Sequence, residues 1–317
     1  MRPNRRHVLD VPEAVLGKAH ALGAPGRRWL RSLPELIRAL EHEWELQVSA
    51  ALSGGSAAYV AAAEMADGTA AILKLHIPGY EDPAGEIRVL RIADGRGYVR
   101  LLRSDAARRA LLLERLGPRL SELGLPTRRQ MEIICSTLER AWVQTPEAAC
   151  FPTGADKARR LRAFIAEAWL SLGRPCSEAV IDQALAWSVT REAAFDPSSA
   201  MLVHGDAHSA NTLAPRDADV TETTGFKLVD PDGLFAERAY DLGIVMRGWN
   251  GELLAGNALR RGRERCAYLS ALTGEDPEAI WQWGFIERVS TGLFLMQTGQ
   301  AREGRDTLRV AEAWVRS

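Results

Sequence analysis

Long hydrophobic runs, paired cysteines and an excess of charge of either sign are all missing from this 317-residue chain. No segment approaches the roughly 20 apolar residues that cross a bilayer. The basic start MRPNRRHVLD is not followed by the apolar stretch of a secretory leader. A cytoplasmic protein without a membrane partner is the expectation. The four cysteines, Cys135, Cys150, Cys176 and Cys266, are scattered with no CxxC pair. That spacing argues against structural zinc and a disulfide framework, and for free thiols in a reducing compartment. A formal net charge of -1 gives a nucleic-acid partner no support from bulk electrostatics. The Arg-rich stretches at 27–31 and 260–265 are interspersed with apolar residues and read as solvated helix faces.

What is present is a hydrophobic fraction of 46%, ample for one large domain or two lobes. Apolar residues at helical spacing over 12–46 predict helix, with Pro34 as a first-turn proline behind a Ser32 cap. From about Ser49 the chain becomes β-like. A Gly54-Gly55-Ser56 turn precedes one strand, and Asp67-Gly68 signals a hairpin to the next. A helix over 85–95 and two strands, 98–103 and 109–116, follow. Beyond Gly117 the pattern is mostly helical, over 127–142, 156–171, 177–195 and from Ala239 onward. Two short apolar runs ending in acids, MLVHGD and FKLVDPDG, interrupt it. The expected class is α+β: a small N-terminal part with an antiparallel sheet, 1–116, and a larger helical part, 117–317.

The chemistry concentrates in LVHGDAHSANTLAP, where one strand delivers His204, Gly205 and Asp206, and Asn211 follows five residues after the aspartate. A second apolar run then delivers Asp230 and Asp232. This set suits phosphoryl transfer: Asp206 as the base that takes the acceptor's hydroxyl proton, Asn211 and Asp230 as oxygen ligands to Mg²⁺ on the nucleotide. Two other readings stand beside it. His204, Asp206 and His208 form an HxDxH string of the kind that holds zinc or iron in a hydrolase, and strand-end aspartates also serve simply as turn residues. Upstream, Lys74 lies inside the apolar run AILKLHI. A buried ammonium needs a partner, and Glu86 is the natural one. In a nucleotide site such a lysine grips phosphates, and the Gly54-Gly55-Ser56 turn can approach them with backbone N–H groups and a hydroxyl.

HGDAHSAN resembles the HGDxxxxN catalytic motif of the aminoglycoside phosphotransferases, and VDPDG resembles their metal-binding segment. DGTAAILKLHIP, GEIRVLRIADGRGYVRLLRSD, LLLERL and DPDGLFAERAYDLG resemble the streptomycin and hydroxyurea phosphotransferase branch, over about 29–297. The resemblance implies a bilobal protein-kinase-like fold and ATP (or GTP) as co-substrate with Mg²⁺. It also implies a small-molecule alcohol as acceptor, most plausibly the cationic antibiotic streptomycin, with hydroxyurea, a sugar or an amino alcohol as alternatives. Asp206 matches the family's base, Asn211 and Asp230 its metal ligands, and Lys74 with Glu86 its phosphate-gripping pair. Gly54, Gly55 and Ser56 stand at its phosphate turn. Glu114 and Leu116 lie in the linker whose backbone reads the adenine edge. His204 would then brace the loop, and Asp241 steady it by accepting backbone N–H bonds. His208 has no assigned part, and Asp232, beyond the family pattern, reads best as a turn former. For a polycationic acceptor, Asp232, Glu237 and Glu252, the last near Trp249 and Asn250, are the candidate acids.

Overall fold

Gly23 adopts φ +68, a region glycine enters without strain. It cuts the expected 12–46 helix into α1 (Glu13–Ala21) and α2 (Ala24–Trp44). The computed structural model describes residues 9–52, 57–80, 83–216 and 224–315. Gly54, Gly55 and Ser56 therefore lie outside the described residues. Pro34 is not a first-turn proline but sits inside α2. The helix runs through it because Trp29, Leu33, Ile37, Leu40 and Trp44 form one buried stripe. Tertiary packing of that stripe outweighs the backbone hydrogen bond that a proline removes.

The chain separates into two compact units, Met1–Leu116 and Gly117–Ser317. In the first, α2 leads into β1 (Leu46–Ala51), β2 (Ala58–Met65) and β3 (Ala70–His76), followed by α3 (Pro83–Ala93), β4 (Leu101–Asp105) and β5 (Ala110–Glu114). These strands form a five-stranded sheet, order β1-β2-β3-β5-β4, with every neighbouring pair antiparallel. The β2–β3 turn is the predicted one: Gly68 takes φ +83, and the Thr69 N–H donates to Asp67 Oδ1 at 2.9 Å. The stripe of α2 joins Leu46, Tyr59, Leu73, Leu75 and Leu112 in one hydrophobic core.

The second unit begins with α4 (Thr127–Ala141), α5 (Gly154–Ser171) and α6 (Glu178–Ala193). Four short strands follow: β6 (Met201–Val203), β7 (Thr212–Leu213), β8 (Lys227–Leu228) and β9 (Leu234–Ala236). It closes with α7 (Ala239–Met246), α8 (Asn250–Leu254), α9 (Ala258–Thr273), α10 (Pro277–Gln297) and α11 (Ala301–Val315). Asp276 caps α10, accepting the Glu278 and Ala279 N–H groups. Trp281, Trp283 and Phe285 of α10 are fully buried, the signature of a helix enclosed on all sides. Against it, α7 approaches closely. A Cβ on Gly243 would stand 2.5 Å from Trp283 Cβ, and one on Gly284 would stand 2.7 Å from Met246 Cβ.

No helix among the described residues is long and apolar enough to cross a membrane. All four cysteines are free thiols, and burial pushes Cys135 and Cys266 up to about 12, so they behave as core residues.

Candidate active site

Two strand pairings assemble the second unit's site. β6 pairs antiparallel with β9, and β7 with β8. The first fixes the strand that ends at His204, and the second brings the chain just after Asn211 beside the chain just before Asp230. The Val229 N–H donates to the Asn211 carbonyl at 2.9 Å. β9 has no local signature: its three residues, LFA, form a strand only through their antiparallel pairing with MLV of β6.

Asp241, fully buried on α7, clamps the loop. Its carboxylate accepts the backbone N–H groups of His204 (2.9 Å) and Gly205 (2.8 Å) and the Trp142 indole N–H (2.9 Å). Burial raises its pKa despite these bonds. Gly205 carries φ +92, and a Cβ there would meet Asp232 Cβ at 2.7 Å, so the loop admits only glycine at that point. The His204 ring is used on both sides. Nδ1 accepts the Asp206 N–H at 3.0 Å, which places the proton on Nε2, and Nε2 lies 2.9 Å from the Val229 carbonyl. His204 thus ties the Asp206 loop to the Asp230 segment. With both nitrogens on backbone groups it is not a metal ligand. Among the described residues no trio of His, Cys, Asp or Glu forms a metal cluster, so the HxDxH reading loses its geometric basis.

Asp206 is engaged at both carboxylate oxygens. Oδ2 lies 3.3 Å from His208 Nε2 and accepts the Asn211 amide N–H at 3.3 Å, while Oδ1 pairs with the Arg247 guanidinium. Burial alone would raise the Asp206 pKa. The charge of Arg247, with the His208 contact, overrides it and holds the carboxyl well below the usual range. Asn211 turns its amide nitrogen to Asp206, also donating to the Asp206 carbonyl at 3.1 Å. Its oxygen is then the end suited to a hard cation. Asp230, exposed, sits at φ +57, a left-handed conformation that costs a non-glycine residue about 1–2 kcal/mol.

His208, left without a part in the kinase reading, touches Asp206, and two further members of this group, Arg247 and Glu287, carry no signal in the sequence. Arg247, at the end of α7, bridges Asp206 to Glu287 Oε2 (3.4 Å) and Thr291 Oγ1 (3.4 Å) on α10. Glu287 is 3% exposed and also accepts the Tyr240 hydroxyl. Only tertiary packing unites them, and no local motif marks Arg247 or Glu287.

Of the acids nominated for the acceptor, Glu237 is taken up by structure. It accepts the Trp283 indole N–H at 2.7 Å and pairs with Arg191 at 3.2 Å, tying α6 to α10. Glu252 accepts the Thr127 hydroxyl and stands 3.7 Å from Arg265. Asp232, more than half exposed, lies 3.9 Å from Lys157.

The first unit holds its own pair. Lys74 on β3 donates to both oxygens of Glu86 on α3, at 2.8 and 2.7 Å, and His76 Nε2 lies 2.9 Å from Oε2. All three are buried. Burial opposes ionisation of Glu86, but Lys74 and His76 prevail and bring its pKa down to about 2. Glu114 ends β5. Its N–H donates to the Arg100 carbonyl at 3.0 Å, and its carboxylate accepts the Arg100 N–H at 2.7 Å. Leu116 follows, half-buried, as the last residue of the unit.

A family model for aminoglycoside/hydroxyurea antibiotic resistance kinases matches residues 43–299. The chain belongs to that family. Its class of chemistry is phosphoryl transfer to an alcohol, and an antibiotic phosphotransferase is the function its relatives support. It is 27% identical to streptomycin 6-kinase of Streptomyces glaucescens over 310 residues, covering 96% of this chain and 97% of that protein. It is 30% identical to hydroxyurea phosphotransferase of Kitasatospora aureofaciens over 320 residues, covering 96% and 86%. The fold is that of small-molecule kinases. Amicoumacin kinase hAmiN, solved in complex with AMP-PNP, Ca²⁺ and Ami, superposes with a TM-score of 0.54 at 13% identity, over 87% of this chain and 92% of that one.

Proposed function

We propose that this kinase transfers the γ-phosphoryl of ATP to a hydroxyl of streptomycin. The observation that carries the reading is the Asp206 loop, which Asp241 and His204 hold beside the Asn211 and Asp230 strand ends. Likeness to a streptomycin 6-kinase over nearly the whole chain supports the acceptor.

In this reading Asp206 receives the acceptor hydroxyl's proton and orients its oxygen. Asn211 and Asp230 hold Mg²⁺, which their hard oxygen donors fit. When bound, the ion neutralises charge on the phosphates. Lys74, aimed by Glu86, grips the α- and β-phosphates. Backbone groups of the 114–116 segment meet the adenine edge, and Gly54, Gly55 and Ser56 cover the phosphates. Positioning and charge neutralisation do most of the work in a loose transition state, so Asp206 acts as base without a raised pKa.

A second acceptor, hydroxyurea, is favoured by the 30% identity to a hydroxyurea phosphotransferase. Coupled nucleotide turnover across streptomycin, other aminoglycosides and hydroxyurea separates the two. Stimulation by streptomycin that vanishes in Asp206→Ala supports the proposal, and stimulation by hydroxyurea alone moves the acceptor.

A further inference from the structure

His76 is a buried ring that the reaction has not yet used. It is 1% exposed, and Nε2 stands 2.9 Å from Glu86 Oε2. Yet neither ring nitrogen makes an aligned hydrogen bond among the described residues. Buried polar atoms without a well-made bond are costly and call for a reason.

Strand alternation puts the ring where it is. Leu73 and Leu75 of β3 enter the core shared with α2, so Lys74 and His76 emerge on the other face of the strand. There both meet Glu86, which stands in the first turn of α3. The backbone of His76 is fixed on both sides. Its N–H donates to the Arg109 carbonyl at 3.0 Å, and the residue pairs with Ala58 of β2. One carboxylate is therefore reached by two residues of a single strand, and the strand cannot shift to change that.

Lys74 donates to both Glu86 oxygens, at 2.8 and 2.7 Å. An ammonium has three N–H groups in all, so a lysine that grips two phosphates turns N–H groups away from its glutamate. A buried carboxylate that loses a donor is strongly destabilised. The N-terminus of α3 offsets part of that loss. The side chain already in place to make up the rest is His76.

We propose that His76 is a positioning residue for the nucleotide, its Nε2–H taking over Glu86 Oε2 as Lys74 turns to the phosphates. The inference rests on the part given to Lys74 and Glu86 in the kinase reading above, and it adds a third member to that pair. His76 touches no phosphate. It acts through Glu86, which it keeps both compensated and in place, so that Lys74 is still aimed by its remaining bond. The imperfect line from Nε2 to Oε2 follows from the same account, since Lys74 holds both oxygens in the structure.

The test separates phosphate grip from the rest of nucleotide binding. Mg·AMP-PNP and adenosine are titrated calorimetrically into wild type, His76→Leu and His76→Gln. Leucine keeps much of the volume without a donor, and glutamine carries an amide N–H to about the place of Nε2. The expected result is a loss of about 10-fold in Mg·AMP-PNP affinity in His76→Leu, with adenosine affinity unchanged and most of the loss recovered in His76→Gln. In turnover the same variant should raise the ATP KM while kcat at saturating nucleotide changes far less. Should His76→Leu fail to fold, His76→Asn, whose amide stops short of Glu86, takes its place. Wild-type affinity for Mg·AMP-PNP in the folded donor-free variant overturns the proposal. So does an equal loss in His76→Gln, or a loss of adenosine affinity in step, which would mark His76 as a packing residue. Failure of the kinase reading shows separately, as wild type that binds no Mg·AMP-PNP, and it would remove this inference as well.

Discussion

Asp241 Oδ1 accepts the N–H of Gly205 at 2.8 Å, so a fully buried side chain on α7 sets the backbone on which Asp206 stands. The other oxygen of Asp241 accepts from His204 and Trp142. An amide has one acceptor oxygen and an NH₂ that would face a donor. Asp241→Asn is therefore expected to cost about 2–3 kcal/mol of stability. It should also lower kcat more than it raises the acceptor KM. Chemical denaturation and steady-state kinetics check both, and unchanged kcat would remove Asp241 from the positioning of Asp206.

The two acids at the strand ends are expected to fail differently. Asp206→Ala should lose about 10²–10⁴-fold in kcat with nucleotide affinity retained. Asp230→Ala should weaken Mg·ATP binding as well. Calorimetric titration with Mg²⁺ and a non-hydrolysable nucleotide tells them apart. Equal affinity in wild type and the Asp230 variant would contradict its role as a metal ligand.

Lys74 and Glu86 make an acid-sensitive clasp. Glu86 falls from its ordinary 4.5 to about 2 in the folded chain. The unfolded state therefore binds the proton more readily than the folded one. The stabilisation is fully present above about pH 4.5 and is lost as pH falls toward 2. Urea unfolding between pH 7 and 3 should show this loss, and Glu86→Gln should flatten that limb. Because removing one partner strands a buried charge, Glu86→Gln is also expected to destabilise by roughly 3–5 kcal/mol at pH 7.

Close approach of α7 and α10 keeps Arg247 within reach of Glu287. Gly284→Ala would place a methyl 2.7 Å from the Met246 Cβ. The expected cost is about 1–3 kcal/mol from overpacking, with reduced kcat as the helices part. Melting temperature and kinetics measured on the same variant check this. A neutral result would show that the helices have slack.

Legibility in the sequence followed the range of the interactions. The Asp67-Gly68 hairpin, the α3 helix and the spacing of Asp206, Asn211 and Asp230 are local signals, and Lys74 announced a partner because a lysine in an apolar strand requires one. Arg247 carried no such signal. It stands at the end of a helix, 41 residues beyond Asp206, and only the glycine-mediated packing of α7 on α10 gives it a role. Glu237 misled for the converse reason: an acid near the motif in sequence is aimed at Trp283 and Arg191 by the fold. Pro34 sits inside α2 because the buried stripe of that helix outweighs the local breaking tendency of proline.

Transfer of labelled γ-phosphate from ATP to streptomycin, compared between wild type and Asp206→Asn, tests the central claim most directly. Wild type in Mg²⁺ should form phosphorylated streptomycin, and the variant should lose about 10²–10⁴-fold in rate. No labelled product with wild type, or equal product from both proteins, would contradict it.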